Sequence, residues 1–374
     1  MDTQIRLVNS KSLLRTFIKL PSAIHRGHWN WLPPIYIDEW KYFNPRKNKA
    51  FKYCDTVLAI AFQKGKPKGR IMGIIHHPYN DLNNETTARF SFFDCYNQPE
   101  VANALLKFIE DWATEKGMNK VTGPYGFTDK DPQGFLVQGF DDKPLIDTSC
   151  NLPYMIDLVQ QNRYKPMIDC MTYRFNINLV LPDIYQRVQN RVVNGKRYEL
   201  HEFNHKKQLG TQIIPVLKLV NESYQNLYGF YPMDKVEMND LATRYMPVLD
   251  SRFVKTITLN GDMVAFVVGL PNMSDGIIRS RGNLFPFGWY HILRSMRKAT
   301  QLDLMLGAVK PGHQGLGLEI SMGLLLLESA RKAGIKTIET HLILESNHKM
   351  RSVIERLNAS MVKRYTVFAK ELKK

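Results

Sequence analysis

Apolar and polar positions follow two periods along this chain, and the second half is the more legible. Residues 196–204 alternate as a half-buried strand does. Residues 213–227 have helical spacing and contain Pro215, tolerable only in a first turn. Residues 234–245 open on Asp234, a good N-cap, and read as a second helix. Two alternating runs, 253–258 and 263–270, flank Asn260-Gly261, a strong hairpin signal. A Gly/Pro/aromatic stretch follows around Leu284-Phe285-Pro286-Phe287-Gly288. Then come a strand at 302–309, a glycine-bearing turn, a long helix at 316–333, a strand at 336–344, a short helix at 347–357 and a strand pair from Ser360. The order is β-α-α-β-β-β-α-β-α-β-β.

The first half repeats that order more faintly. It reads as a strand at 5–8, helices at 13–24 and 35–42, and a hairpin of 56–62 with 69–76 around Lys64-Gly65-Lys66. A strand at 89–93, a helix at 101–116, a strand at 119–122, a helix at 154–162 and a strand at 169–176 follow. Val101, Leu105, Phe108, Ile109 and Trp112 share one stripe of the long helix. Both long helices finish alike, on Lys116-Gly117 and on Ala333-Gly334, each glycine suited to a left-handed residue after the last turn. The pattern predicts a tandem duplication of one α/β unit with a mixed sheet. The boundary falls near Leu181-Pro182-Asp183, giving domains 1–180 and 181–374. Between Gly123 and Pro153 the first copy carries an extra Gly/Pro/Asp-rich loop.

Composition narrows the class. A chain of 374 residues has room for two cores, and 44% hydrophobic with 23% charged residues excludes a disordered or collagen-like protein. No apolar run approaches the ~20 residues of a membrane span. The opening segment is broken by charge, so no signal peptide and a cytoplasmic location are expected. Lys and Arg number 51 against 35 Asp and Glu, a net charge of +16 that calls for an anionic partner. A phosphorylated cofactor, an acidic carrier protein, anionic lipid and nucleic acid all satisfy the sign. Cys54, Cys95, Cys150 and Cys170 include no C-x-x-C and read as buried free thiols.

The chemistry is concentrated in Leu304-Met-Leu-Gly-Ala-Val-Lys-Pro-Gly-His-Gln-Gly-Leu-Gly-Leu-Glu319, where a strand ends and a helix begins. Gly312, Gly315 and Gly317 let successive backbone N–H groups converge, and a helix N-terminus adds partial positive charge, so the turn suits a pyrophosphate. Ile320 breaks a dinucleotide G-x-G-x-x-G, and no Gly-Lys-Ser/Thr makes a P-loop. Here the chain resembles the GNAT superfamily of acyl-CoA-dependent N-acyltransferases, whose motif is an apolar strand and then V-x-P-x-x-[QR]-G-x-G. Val309, Pro311, Gln314, Gly315 and Gly317 fit it. The family's downstream N-x-x-A-x-x-x-Y-x-x-x-G-F corresponds to Asn347, Met350, Ile354, Asn358 and Ala359. Asn358 for glycine is mild, because Asn tolerates a left-handed backbone. Ile354 replaces a tyrosine that in the family often protonates the leaving thiolate, so the usual acid is missing.

The first copy has Asp94-Cys95-Tyr96-Asn97-Gln98-Pro99-Glu100 at the equivalent point, with no glycine and two carboxylates that would repel a pyrophosphate. It reads as a degenerate copy without cofactor that helps to shape the acceptor cleft. The runs His28-Trp29-Asn30-Trp31-Leu32-Pro33-Pro34 and Phe43-Asn44-Pro45-Arg46-Lys47-Asn48 are similar to those of a bacterial subgroup of two-domain GNAT proteins, some of which acylate sphingoid bases as bacterial ceramide synthases.

The resemblance implies an acyl-CoA or acyl-carrier-protein donor, a primary amine acceptor that could be a long-chain lipid amine, and no metal. It implies that pantetheine pairs with the strand at Leu306, Ala308 and Val309, and that N–H groups of Gln314, Gly315, Leu316, Gly317 and Leu318 hold the pyrophosphate, with Asn347 completing the set. A base is sought on the next strand, where alternation puts Glu339, His341, Ile343 and Glu345 on one face. His341 and Glu345 are the candidates, with Tyr228 in the acceptor loop. The helix from Leu318 is apolar almost all round, which fits burial on several sides or one wall of an acyl pocket.

His201-Glu202-Phe203-Asn204-His205 spells a zinc-protease pattern, but in a strand the two imidazoles stand about 13 Å apart. A peripheral contact with an anionic membrane is compatible with the charge and with Trp29 and Trp31, and no nucleic-acid partner is expected. The alternatives are a Fem-type tRNA-dependent aminoacyl transferase and a non-catalytic acyl-CoA-binding module.

Overall fold

The computed structural model describes residues 2–373. In chain order the elements begin with β1 (Gln4–Leu7), α1 (Lys11–Ile24), α2 (Tyr36–Tyr42), β2 (Cys54–Gln63), β3 (Lys66–His76), α3 (His77–Asn83), β4 (Thr87–Cys95), α4 (Pro99–Glu115), β5 (Lys120–Gly123), β6 (Phe135–Gln138), α5 (Tyr154–Gln161) and β7 (Lys165–Asn176). They continue with α6 (Asp183–Asn194), β8 (Glu199–Glu202), α7 (Lys206–Leu209), α8 (Ile213–Ser223), α9 (Lys235–Tyr245), β9 (Val254–Leu259), β10 (Asp262–Pro271), α10 (Ser274–Ser280) and α11 (Gly288–Arg297). The last are β11 (Gln301–Val309), α12 (Leu318–Lys332), β12 (Thr337–Thr340), β13 (Ile343–Leu344), α13 (His348–Arg356) and β14 (Ser360–Glu371).

The chain divides into two compact units. The first holds the residues up to Met171, Ser274–Ile292, and the chain from Lys363 onward; the second holds Thr172–Met273 and Leu293–Val362. The chain first crosses between units at Met171–Thr172, nine residues before the expected cut between 180 and 181, and two later segments return to the first unit.

Within the first unit the strands run β1-β2-β3-β4-β5-β14. One face carries α4 and α5, with Leu105 and Ile109 of α4 in one cluster with Ala88 and Phe90; the other carries α1 and α2 over Ile60, Met72 and Ile74. The second unit runs β8-β9-β10-β11-β12 and ends on the last residues of β7, where Glu339 pairs with Arg174 and Thr337 with Asn176. Its faces are covered by α12 and α6 over Leu302 and Ile338, and by α8 and α9 over Phe266 and Val268. The two copies thus exchange closing strands. The strand ending copy one completes the sheet of the second unit, and the strand ending copy two completes that of the first.

Turn chemistry explains the element ends. Lys64-Gly65 and Asn260-Gly261 both have positive φ, the twist a two-residue hairpin needs. Gly117 and Gly334 adopt φ of 77° and 78° after α4 and α12, as the helix-end patterns predicted. Several expected bounds change, three of them in ways that matter to the site or the sheet. The helix expected at 213–227 stops at Ser223, the strand expected at 336–344 breaks after Thr340, and the expected pair from Ser360 is one long strand. The four cysteines form no disulfide, and burial pushes the Cys170 thiol up to about 12 and that of Cys150 up to about 11.

His76 links local structure to stability. Its Nδ1 accepts the Tyr79 N–H at 3.1 Å and caps α3, while the residue is 0% exposed. Burial, and next the Arg89 guanidinium, push its pKa from 6.5 down to about 3. The folded state therefore binds fewer protons than the unfolded chain, and stability falls with pH between about 6.5 and about 3. Urea unfolding across that window is expected to show the midpoint falling with acidity, and the fall is expected to be shallower in His76→Asn, which keeps a capping acceptor without the titration.

Candidate functional site

The site of the second unit begins with a strand pairing that stops early. β11 and β12 run parallel through Gln301–Thr337, Leu302–Ile338, Asp303–Glu339 and Leu304–Thr340, and the His341 N–H to the Leu304 carbonyl, at 2.9 Å, closes the run. β12 ends there, whereas β11 continues to Val309. Among the described pairings, Leu306 to Val309 are strand-paired along the β10 edge alone. A bulge at Met305 helps to turn that stretch away: Leu304 faces Gly269 and Leu306 faces Val268. The parted stretch is half-buried, and Gly307 is exposed.

A polar network holds the closed end of this fork. Glu339 is 0% exposed; Arg174 reaches it with Nε at 3.0 Å and Nη2 at 2.8 Å, and Thr172 Oγ1 at 3.0 Å. Gln301 Nε2 bridges Glu339 and Asp303 at 3.2 and 2.9 Å, and Asn272 donates to Asp303 at 2.8 Å. Buried carboxylates with this many donors are satisfied anchors. They fix where the strands part.

The loop after β11 supplies the second part of the site. Lys310 N–H bonds the Val264 carbonyl at 2.8 Å, and Lys310 pairs with Glu222 of α8 at 3.3 Å. Gly312, Gly315 and Gly317 have φ of 86°, 74° and 86°. Gly317 is the N-cap of α12 and brings no capping side chain, so the first-turn N–H groups lack the partner a Ser or Asp would give them. Gln314 is a strut: its Nε2 donates to the Val309 carbonyl at 3.3 Å and its Oε1 accepts from Lys349 of α13 at 2.9 Å. Asn347 caps α13 through the Met350 N–H at 3.2 Å, so its carbonyl oxygen is engaged in the helix.

Beside the loop lies a cavity of about 340 Å³ lined by Arg191, Val192, Gly195, Arg197, Tyr198, Gly315 and Leu316. The Arg197 guanidinium lies 5.4 Å from the Tyr198 ring, and the Tyr198 hydroxyl stands 3.2 Å from His313 Nδ1. Sequence reasoning missed this wall because it left 183–194 unassigned. Ile184, Val188 and Val192 recur every four residues, a helical stripe that marks α6.

The candidate bases are less assembled than their spacing suggested. The single-face reading of Glu339, His341, Ile343 and Glu345 does not hold, because β12 stops at Thr340 and strand alternation ends with it. Glu339 and Ile343 are buried, His341 is half-buried at the fork, and Glu345 is exposed, its backbone carbonyl accepting from Arg351 at 3.2 Å. Tyr228 lies half-buried in a loop that Asn221 staples, donating to the Met233 carbonyl at 2.7 Å and accepting its N–H at 3.0 Å. Tyr224 reaches β11 itself, its hydroxyl 3.2 Å from the Gly307 carbonyl. Leu318 is buried, and Leu324 and Leu325 of α12 are only half-buried, so the helix is less enclosed than its composition suggested. Ile354 is 1% exposed, and Asn358 takes φ of 50° in place of the family's glycine. His201 and Glu202 lie on β8 while His205 caps α7.

The first unit holds the corresponding stretch differently. β4 and β5 also pair in parallel for a short run, Thr87–Lys120 to Arg89–Thr122, and a bulge again interrupts the outer pairing, between Arg70–Asp94 and Met72–Ser91. The gap is filled by the chain itself. Tyr125 N–H bonds the Phe90 carbonyl at 2.8 Å, and the buried Arg89 donates to the carbonyls of Gly126 and Phe127 at 3.1 and 2.9 Å. Only three residues separate β4 from α4, too few for a nest of N–H groups. Burial alone would raise the Asp94 pKa, but Arg70, at 2.9 Å, and His25 more than offset it and hold the carboxyl well below the usual range.

Comparisons with known proteins bear on the fold. The chain is 26% identical to the bacterial ceramide synthase of Caulobacter vibrioides, over 99% of this chain and 98% of that protein. It is 25% identical to Protein YghO of Escherichia coli, over 98% and 95%. No family model matches. Among solved structures, a tandem GNAT protein from the clavulanic acid biosynthesis pathway superposes with a TM-score of 0.57 at 12% identity, covering 100% of this chain and 99% of that one. A GCN5-related N-acetyltransferase from Sphaerobacter thermophilus gives 0.52 at 10% identity, covering 100% and 96%. The fold is that of the tandem GNAT proteins.

The three loop glycines separate by substitution. A Cβ on Gly317 would lie 2.3 Å from Val188 Cγ1, whereas none lies within 4 Å at Gly312 or Gly315. Gly312→Ala is expected to cost about 1 kcal/mol, from positive φ alone. Gly317→Ala adds a collision with α6 and is expected to cost about 3 kcal/mol in urea unfolding.

Proposed function

We propose that the second unit binds an acyl-CoA and transfers its acyl group to a primary amine. The observation that carries this reading is the juxtaposition, within one unit, of a strand edge left open beyond Leu304 and a left-handed glycine loop opening on a cationic cavity. Backbone groups of Leu306, Ala308 and Val309 would pair with the pantetheine arm, and N–H groups from Gln314 to Leu318 would receive the diphosphate. Arg191 and Arg197 would meet its nucleotide phosphates. Asn347 would act through α13, which Lys349 ties to Gln314.

The amine must arrive or become neutral. Its nitrogen lone pair attacks the thioester carbonyl, the C–S bond breaks, and the sulfur leaves as a thiolate that takes up a proton. His341 at the fork is the base this reading favours, because its backbone is fixed to Leu304 at the point where the carbonyl would lie. Tyr224, in contact with Gly307, would border the acceptor side, with Tyr228 in the loop that follows; the exposed Glu345 would have the lesser part. With Ile354 in the tyrosine's place, the thiolate's proton comes from the ammonium or from water. The likeness to a ceramide synthase supports a long-chain lipid amine as acceptor.

Thiol release from a panel of short and long acyl-CoAs, with simple and long-chain amines, tests the reading. Turnover with a long-chain amine is expected. CoA binding without turnover across the panel, or dependence on charged tRNA, would contradict it. Arg191→Ala with Arg197→Ala is expected to raise KM for acyl-CoA about tenfold to a hundredfold, as loss of ~1.5–3 kcal/mol of charged hydrogen bonding implies, with kcat little changed. His341→Ala is expected to lower kcat about a hundredfold or more.

A further inference from the structure

The stretch 279–298 is absorbed by no step of acyl transfer, and its surface is unlike the rest of the chain. Phe285 is 74% exposed, Phe287 69%, Trp289 49% and Tyr290 47%. Large aromatic side chains this exposed, in one short run, mark an interaction surface. The same run exposes Arg279, Arg281, Arg297 and Lys298. No Asp or Glu occurs between Asp275 and Asp303, and Asp275 is engaged by Lys143 at 2.8 Å.

Local structure holds the aromatics outward. Gly288 and Ile292 form the buried side of α11, while Trp289, Tyr290, Leu293, Arg294 and Arg297 lie on exposed positions. A Cβ on Gly288 would stand 1.7 Å from the Asn283 carbonyl oxygen, so only glycine allows the loop to close on the helix. The Trp289 backbone N–H bonds the Leu284 carbonyl at 3.0 Å, and its indole N–H bonds the Pro286 carbonyl at 3.1 Å. With its one polar atom satisfied inside the loop, that ring can enter an apolar phase without leaving a donor unpaired.

We infer that residues 279–298 dock this protein on an anionic lipid bilayer, with the Phe285, Phe287 and Trp289 rings entering the headgroup–acyl boundary and the flanking Arg and Lys residues meeting lipid phosphates. A segment without acids of its own that sets cationic residues beside exposed aromatic side chains is the combination an anionic interface rewards, through apolar burial and surface potential together. The complementary charge selects an anionic bilayer over a neutral one. The inference stands apart from acyl transfer, because docking is read without substrate or turnover.

Cosedimentation of the full chain with vesicles tests it, using equimolar phosphatidylcholine and phosphatidylglycerol against phosphatidylcholine alone. The wild type is expected to pellet with the anionic vesicles and to bind the neutral ones at least about tenfold more weakly. Phe285→Ala with Phe287→Ala and Trp289→Ala is expected to weaken anionic binding by about tenfold or more, at an unchanged unfolding midpoint. Phe285→Ala alone, at the most exposed position of the run, is expected to move binding in the same direction should the triple variant fold poorly. Wild type that stays in the supernatant with both vesicles overturns the inference, as does equal binding by the aromatic variants. A dimer in sedimentation equilibrium that the triple variant turns into a monomer, with no vesicle binding by the wild type, would assign the face to a second copy instead.

Discussion

The hydrogen bond from His341 to the Leu304 carbonyl is the last that joins β11 to β12 among the described backbone bonds, and the rest of the site depends on what happens beyond it. A strand edge without a partner strand is costly unless side chains, water or a ligand satisfy its N–H and C=O groups, and here Tyr224 and Gln314 take the Gly307 and Val309 carbonyls. Here the edge is kept open by a bulge on one side and by an early end of β12 on the other. The buried Glu339–Arg174 pair and the Gln301–Asp303 contact fix the point of parting, so the opening is a built feature rather than a frayed strand. Extended pantetheine suits such an edge as a further strand would.

The first copy is an internal control. It keeps the short parallel pairing and the bulge, yet its own backbone at Tyr125 to Phe127 enters the fork, held by Arg89. The same architecture therefore exists in an open and a self-filled form within one chain. Thr172 and Arg174, from the end of copy one, supply two of the groups that hold Glu339 at the fork of the second unit, so copy two without copy one would lack them.

Much of this was legible in the sequence, and the failures have physical causes. The loop glycines, both hairpins, both helix-ending glycines and the Asn358 substitution declare themselves through φ preferences that few residues share, so local sequence suffices. The expected run 336–344 failed because β12 stops when its partner turns away, a tertiary event that alternation does not encode. With it failed the common face assigned to Glu339, His341 and Glu345. The strand exchange was invisible for a similar reason, since β7 and β14 look like ordinary final strands whichever sheet receives them. α6, with Arg191, was missed through neglect of a plain four-residue repeat. What the aromatic run at 284–290 does was unreadable until its side chains proved to be exposed.

Hydrogen–deuterium exchange of the full chain, with and without CoA, tests the central claim most directly, because it reads the amides of the open edge themselves. Slowed exchange confined to peptides covering 305–309 and 312–320 is the expected result. Unchanged exchange there under saturating CoA, or protection at the first unit's turn at 94–100 instead, would contradict the account.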